Sequence, residues 1–229
     1  MFTKGDFHIH STASDGNCTP SQIVSMAKKR NVDILSITDH NTTNGICEAI
    51  IEGKRLGVTV IPGIELSTRY ENIHVHVLGY FRYENYNNEL LTKVLKDVKS
   101  HKLSEIKHLF NNVIDFYGCK NKLTVQAGIG LLKFFGAAVV LAHPVLIPRE
   151  KFKDIVSLGF DGIEAKYFSN TEKDTEYFLN AANNLNMFYT AGSDFHKTTD
   201  MLRAHGMIGD TYLSSEEIDV FLKRAELYY

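Results

Sequence analysis

Long apolar runs are missing from this chain of 229 residues. No stretch approaches the roughly 20 apolar residues that a membrane-spanning helix needs, so no membrane partner is expected. The first residues, Met1-Phe2-Thr3-Lys4-Gly5-Asp6, lack the apolar segment of a secretory signal. Cysteine is scarce and odd in number: Cys18, Cys47 and Cys119 have no CxxC spacing, which excludes a disulfide framework and reads as free thiols in a reducing cytoplasm. An excess of either charge is also absent. Lys and Arg number 25 against 27 acids, a net charge of −2, which gives no global reason to bind nucleic acid or a membrane surface. There is no internal repeat and no low-complexity segment. The 44% hydrophobic content suits a globular chain long enough for one barrel-sized domain with a small insertion.

Histidine is what the chain has in number, ten in all. Six of them, with three acids, fall in short blocks that each follow an apolar run: His8-Ile9-His10, Ser14-Asp15-Gly16, Asp39-His40-Asn41, Gly63-Ile64-Glu65, His74-Val75-His76, Ala142-His143-Pro144 and Ser193-Asp194-Phe195-His196. The nine donors are His8, His10, Asp15, His40, Glu65, His76, His143, Asp194 and His196. That is more than one divalent ion needs and suits a cluster of two or three. Such clusters rarely serve structure; they generate hydroxide at neutral pH and clamp anions. Imidazole with carboxylate and no thiolate suits Mn²⁺, Zn²⁺ or Fe²⁺ without separating them. Three carboxylates against three divalent ions leave an excess of about +3, which favours a phosphate ester over a neutral amide.

Apolar periodicity places these blocks at strand ends. The sequence predicts strands over 6–10, 33–39, 58–62, 75–81, 137–142, 160–165, 187–191 and 205–208. Helices are expected at 20 onward, 43–56, 148–158 and 171–185, with a C-terminal helix opened by Ser214-Ser215-Glu216-Glu217. Thr19, Pro20 and Gln22 make a capping box with proline at the first helical position. Between Glu84 and Tyr117 the period becomes helical, with one slip near residue 100, and a further helix is expected at 124–135. The expectation is an α/β fold in which repeated β–α units form a parallel sheet that closes into a barrel. In such folds active groups gather at the C-terminal ends of the strands. His8 and His10, two apart on a strand, point the same way about 6.6 Å from each other.

Other residues compete for attention. His74 lies two before His76 and faces the same way; His76 is preferred. Asp39 is expected to hydrogen-bond a ligand. Glu164 either lines the site or caps the next helix, and His205 either reaches the pocket or is structural. His101 and His108 are expected in solvent, and Cys18 in a packed interior. Lys93, Lys96, Lys99, Lys102 and Lys107 form a solvated helix face or a steering surface for a polyanion. Lys166, Tyr167, Arg149 and Lys197 follow strand ends, where phosphate contacts are useful.

The motifs HIHSTASDG, SITDHN, PGIE, HVHVLGY, LAHP and GSDFH together resemble the PHP (polymerase and histidinol phosphatase) family, particularly its small bacterial phosphoesterases. The resemblance covers residues 5–82 and 137–210, about two-thirds of the chain. It implies a distorted (β/α)7 barrel over 1–82 and 137–229, with a helical, cap-like insertion at 83–136. It also implies a trinuclear site: His8, His10, Glu65 and Asp194 around one metal; Glu65, His76 and His143 around a second; Asp15, His40 and His196 around a third. Asp15, His40, Glu65, Asp194 and His196 would act in catalysis through those ions. The implied activity is hydrolysis of a phosphate ester by metal-activated hydroxide, on a nucleotide, a nucleoside bisphosphate or a short RNA 5′ end. A metal-dependent amidohydrolase or deaminase, a histidinol-phosphatase-like enzyme and a non-catalytic nucleic-acid-binding module are the competing expectations. The segment between His76 and His143 is shorter than in these relatives, so the substrate is the part the resemblance constrains least.

Overall fold

A computed structural model describes residues 1–199 and 205–228. Eight strands form one sheet in the order β7-β6-β5-β4-β3-β2-β1-β8. They are β1 Lys4–Asp6, β2 Ile34–Ile37, β3 Thr59–Tyr70, β4 Ile73–Phe81, β5 Ala137–Leu141, β6 Gly162–Tyr167, β7 Phe188–Gly192 and β8 Leu213–Ser214. The helices are α1 Pro20–Lys29, α2 Ile46–Leu56, α3 Glu89–Lys99, α4 Leu103–Phe110, α5 Val125–Phe134, α6 Phe152–Val156, α7 Glu172–Asn184 and α8 Ser215–Arg224. The sheet curls until its ends nearly meet. Past the last regular residue of β1 the backbone pairs directly with β7 and the segment that follows it. Phe7 N donates to Ala191 O (3.0 Å), Asp194 N to His8 O (2.9 Å) and His10 N to Phe195 O (2.8 Å). Closure therefore places the first block of donors beside the last.

The expected barrel is present, but its sheet is mixed. β3, twelve residues long, pairs parallel with β2 along its first part and then runs on, through Glu65, to a turn at Glu71-Asn72. β4 returns antiparallel to both β3 and β5. The strand expected at 58–62 is thus the first half of a long hairpin arm. Three further expectations shift. β1 ends at Asp6, and His8 and His10 lie on its irregular extension. Residues 205–208 are not a strand: Ile208 is buried within a turn closed by Gly209 at φ +76°, and the last strand is β8, antiparallel to β1. The helix expected from Pro148 is a 3-10 turn at Arg149–Lys151 followed by the short α6.

Local rules account for most boundaries. Thr19 and Gln22 exchange both capping-box bonds around Pro20, and Ile23, Val24 and Ala27 bury the apolar side of α1. α2 ends at Gly57, whose φ of +68° is a left-handed stop. The slip near residue 100 is the break between α3 and α4, where His101 takes φ +57°. Leu91, Val94, Leu95, Ile106 and Phe110 join the apolar cluster of Leu66, Val77, Val139 and Leu141, so residues 83–136 draw on the barrel's own core. α8 contributes Phe221, whose ring sits 4.8 Å from Phe7, 5.2 Å from Tyr80 and 5.5 Å from Phe188 in the barrel interior.

Phe221→Ala leaves a cavity among three aromatic rings, so urea unfolding should show a loss of about 3–5 kcal/mol. The start of α8 supplies a pH-dependent term. Burial works to raise the Glu217 carboxyl, but Lys166, the Ser214 amide and hydroxyl, and Tyr189 together hold it below the usual carboxylate range. Its folded-state pKa is depressed, so its contribution is present above the unfolded value of about 4.3 and is lost as pH falls through the folded one. Stability measured from pH 6 down to pH 3 should fall less steeply in Glu217→Gln than in the parent.

Candidate metal centre

All nine predicted donors meet at one mouth of the barrel. Glu65, 1% exposed, stands at their centre. Its Oε2 lies 3.3 Å from His8 Nε2, 3.1 Å from His10 Nε2 and 3.1 Å from His40 Nδ1. Its Oε1 lies 3.0 Å from His76 Nδ1 and 2.9 Å from His143 Nε2. Asp194 Oδ1 faces the same two nitrogens of His8 and His10, at 3.3 and 3.2 Å. Asp15, on the open side, has Oδ1 3.5 Å from His10 Nδ1 and 3.4 Å from His196 Nε2, and Oδ2 3.7 Å from His40 Nε2. Among the described residues four clusters bring donor atoms within 4.8 Å of one another: His8-His10-Glu65-Asp194, His10-Asp15-His40-His196, His40-Glu65-His76 and Asp194-His196-His205.

Three of the segments that deliver donors bend sharply after their strands. Asn41, His143 and Asp194, after β2, β5 and β7, have φ of +51°, +26° and +51°. Non-glycine residues in this region cost roughly 1–3 kcal/mol each and persist where the surroundings fix them. Asp39 supplies part of that fixing. It accepts from Ser11 N (2.7 Å), Ser11 Oγ (2.6 Å) and Ser14 Oγ (2.6 Å), and so holds the loop that carries Asp15. Its partners are thus loop serines and not a candidate ligand's ring. Asp6, which no motif singles out, accepts from Ser193 N and Oγ (3.0 and 2.6 Å) and from Gly209 N (2.8 Å). It ties the Asp194 segment to β1. Burial pushes its carboxyl up to about 6.

The electrostatics are those of a centre that demands cations. Burial works to raise Glu65 and Asp194, yet the surrounding imidazoles hold both carboxyls well below their usual range. Asp15 is lowered too: burial opposes it, and His196, His10 and His40 prevail. Burial disfavours charge on His8 and His10, but the facing carboxylates outweigh it, lifting His8 well above its ordinary value and His10 to about 9. Burial dominates at His40 and pulls it down to about 4. Two ring nitrogens are revealing. His10 Nδ1 and His40 Nδ1 are buried without a hydrogen-bond partner, although carboxylate oxygens lie close by. A buried polar atom left unpaired is costly unless something else takes its lone pair. The donor set therefore fits divalent metal ions.

The cavity above the centre has a volume of about 630 Å³. Leu146, Tyr167, Ser169, Lys197 and His205 line it beside the acids and imidazoles. Tyr167 Oη donates to Asp194 Oδ2 at 2.9 Å, and His205 Nδ1 lies 3.2 Å from the same oxygen. His205 thus belongs to the site, an alternative the sequence left open. Of the other phosphate-contact candidates, Lys166 pairs with Glu217 and Arg149 with Asp174, both away from this cavity. His74 points to the same side as His76 but pairs with Arg69 near the hairpin tip. His101 and His108 are exposed, and Cys18 is buried.

The barrel gathers imidazoles and carboxylates at its mouth in an arrangement that suits metal ions. The PHP domain model matches residues 6–144, more than half of the chain, and the chain belongs to the PHP family. A 5′-3′ exoribonuclease of Haemophilus influenzae is 43% identical over 79 residues, a match that spans 34% of this chain and 29% of that protein. The exoribonuclease Rnm of Escherichia coli is 46% identical over 76 residues, 26% of its length. A 3′,5′-nucleoside bisphosphate phosphatase of Chromobacterium violaceum is 24% identical over 249 aligned positions, covering 83% of this chain and 86% of that one. Two solved structures share the fold across 96% of both chains. One, from Bifidobacterium adolescentis, is assigned as a metal-dependent phosphoesterase (TM-score 0.76, 21% identity). The other is an amidohydrolase from Chromobacterium violaceum with bound sulfate and no metal (TM-score 0.75, 20% identity).

Gly192 shows how tightly the centre is built. A Cβ there would stand 2.2 Å from His8 Cβ and 2.4 Å from Glu164 Oε1. Gly192→Ala should cost about 1–3 kcal/mol in denaturant unfolding, the ordinary penalty of overpacking; an unchanged midpoint would contradict the packing described.

Proposed function

We propose that this chain is a metal-dependent phosphoesterase. It hydrolyses a phosphate ester on a nucleotide, a nucleoside bisphosphate or the 5′ end of a short RNA. The observation that carries this reading is the division of Glu65: one oxygen faces His8, His10 and His40, the other His76 and His143. A carboxylate so divided would serve two cation positions, one through each oxygen. In this reading His8, His10, Glu65 and Asp194 hold one ion, Glu65, His76 and His143 a second, and Asp15, His40 and His196 a third. The N/O donors suit Mn²⁺, Zn²⁺ or Fe²⁺. When bound, the ions supply Lewis acidity toward phosphate oxygens and acidify a water to serve as nucleophile.

The chain's own groups do the rest. Asp15, half-exposed, and His40 face the open side, where a substrate arrives. Lys197 and Ser169 at the rim offer a cation and a hydroxyl to the non-reacting phosphate oxygens. Tyr167 and His205 hold Asp194 Oδ2, which leaves Oδ1 turned inward. The names of the relatives support phosphate esters of nucleotides or RNA as the substrate class, and the sulfate on the amidohydrolase neighbour is an anion of phosphate's shape. Among the described residues no helix is long and apolar enough to cross a membrane. All three cysteines are free, which fits a reducing cytoplasm.

The test is phosphate release from a nucleoside 3′,5′-bisphosphate and a short 5′-phosphorylated RNA. Asp15→Ala and Asp194→Ala should each lower kcat/KM by more than the roughly 10–100-fold that loss of a merely supporting group costs, with circular dichroism unchanged. Chelation should abolish activity and Mn²⁺ should restore it. Full activity in either variant, or after chelation, would contradict the reading.

A further inference from the structure

Glu164 is buried on β6 and is not among the nine donors. Its two oxygens have different partners. Oε1 lies 2.9 Å from His8 Nδ1, and Oε2 accepts from the backbone N of His143 at 2.6 Å. His8 turns its other nitrogen, Nε2, toward Glu65 and Asp194. His143, held at φ +26°, turns Nε2 toward the opposite oxygen of Glu65. One carboxylate therefore reaches behind two donors that face different sides of Glu65.

We infer that Glu164 is a positioning residue that sets the His8 tautomer and the His143 backbone together, and so couples two metal positions of the centre. A carboxylate accepts only. Facing Glu164, His8 must carry its proton on Nδ1, which leaves the Nε2 lone pair for a cation. The second oxygen satisfies the amide of a residue whose backbone region is otherwise unfavourable. An amide at this position cannot do both. With its oxygen toward His8, its NH₂ confronts the His143 N–H, donor against donor. With its NH₂ toward His8, it demands the lone pair on Nδ1 and moves the proton to Nε2, which closes that nitrogen to a metal. Glu164→Gln preserves shape and still breaks one of the two functions.

The inference rests on the metal-site reading above, and its test measures metal binding and not turnover. Zinc binding to the full chain is measured by calorimetry and elemental analysis, for the parent and for Glu164→Gln. The parent should bind at least two ions. Glu164→Gln should lose about 10–100-fold in affinity at one or two of them, while the melting temperature of the chelated proteins changes much less. Equal zinc affinity and stoichiometry in both proteins, with only the chelated melting temperature lowered, overturns the inference and leaves Glu164 a structural residue. A parent that takes up no zinc overturns the function reading, and this inference with it. Nitrogen-proton correlation spectra of the zinc-loaded parent decide the matter even if Glu164→Gln fails to fold. A His8 proton on Nδ1 with zinc on Nε2 supports the assignment; the reverse arrangement refutes it.

Discussion

Glu65 is the constraint on which the rest of the structure depends. A carboxylate 1% exposed is tolerable only when its lost hydration is replaced by positive or donor groups around it. Five imidazoles, two following β1 and one each from β4 and the segments after β2 and β5, stand within 3.3 Å of its two oxygens. No local segment could supply them. The extended arm of β3 carries Glu65 beyond its pairing with β2, the antiparallel return of β4 sets His76 beside it, and closure of β1 on β7 brings His8 and His10 to Asp194. The irregularities of the barrel are the means by which one buried acid acquires its neighbours.

The supports of the centre are themselves acidic. Asp39 gathers the serines of the Asp15 loop, Asp6 ties Ser193 and Gly209 to β1, and Glu164 stands behind His8 and His143. Asp39 and Asp6 accept from backbone and hydroxyl groups, and Glu164 faces a ring nitrogen and accepts from a backbone amide, which a carboxylate does without needing a cation of its own. The left-handed backbones at Asn41, His143 and Asp194 are the cost of this arrangement. The aromatic packing of Phe7, Tyr80, Phe188 and Phe221 within the barrel offsets it.

Much of this was legible in the residues. The Thr19 and Ser214 capping boxes mark their helices because the rule is local. The break at His101 shows as a slip in a helical stripe. The donor blocks stand out because polar residues follow apolar runs. Strand direction was not legible: alternation along 75–81 is the same whichever way β4 runs. A strand was expected at 205–208, yet Ile208 is buried in a turn that Asp6 holds from the far end of the chain. Asp6 itself looks like an ordinary polar residue near the N-terminus, because its burial is created only when the barrel closes. Glu164 and His205 were ambiguous for the same reason: their partners lie 156 and 11 residues away in sequence, and only the fold selects them.

Anomalous diffraction from crystals of the manganese-loaded protein tests the central claim most directly. Ions should appear on both sides of the Glu65 carboxylate, each bound to one of its oxygens, one among His8, His10 and Asp194 and the other between His76 and His143. Full manganese loading with Glu65 bound to none of the ions would contradict it.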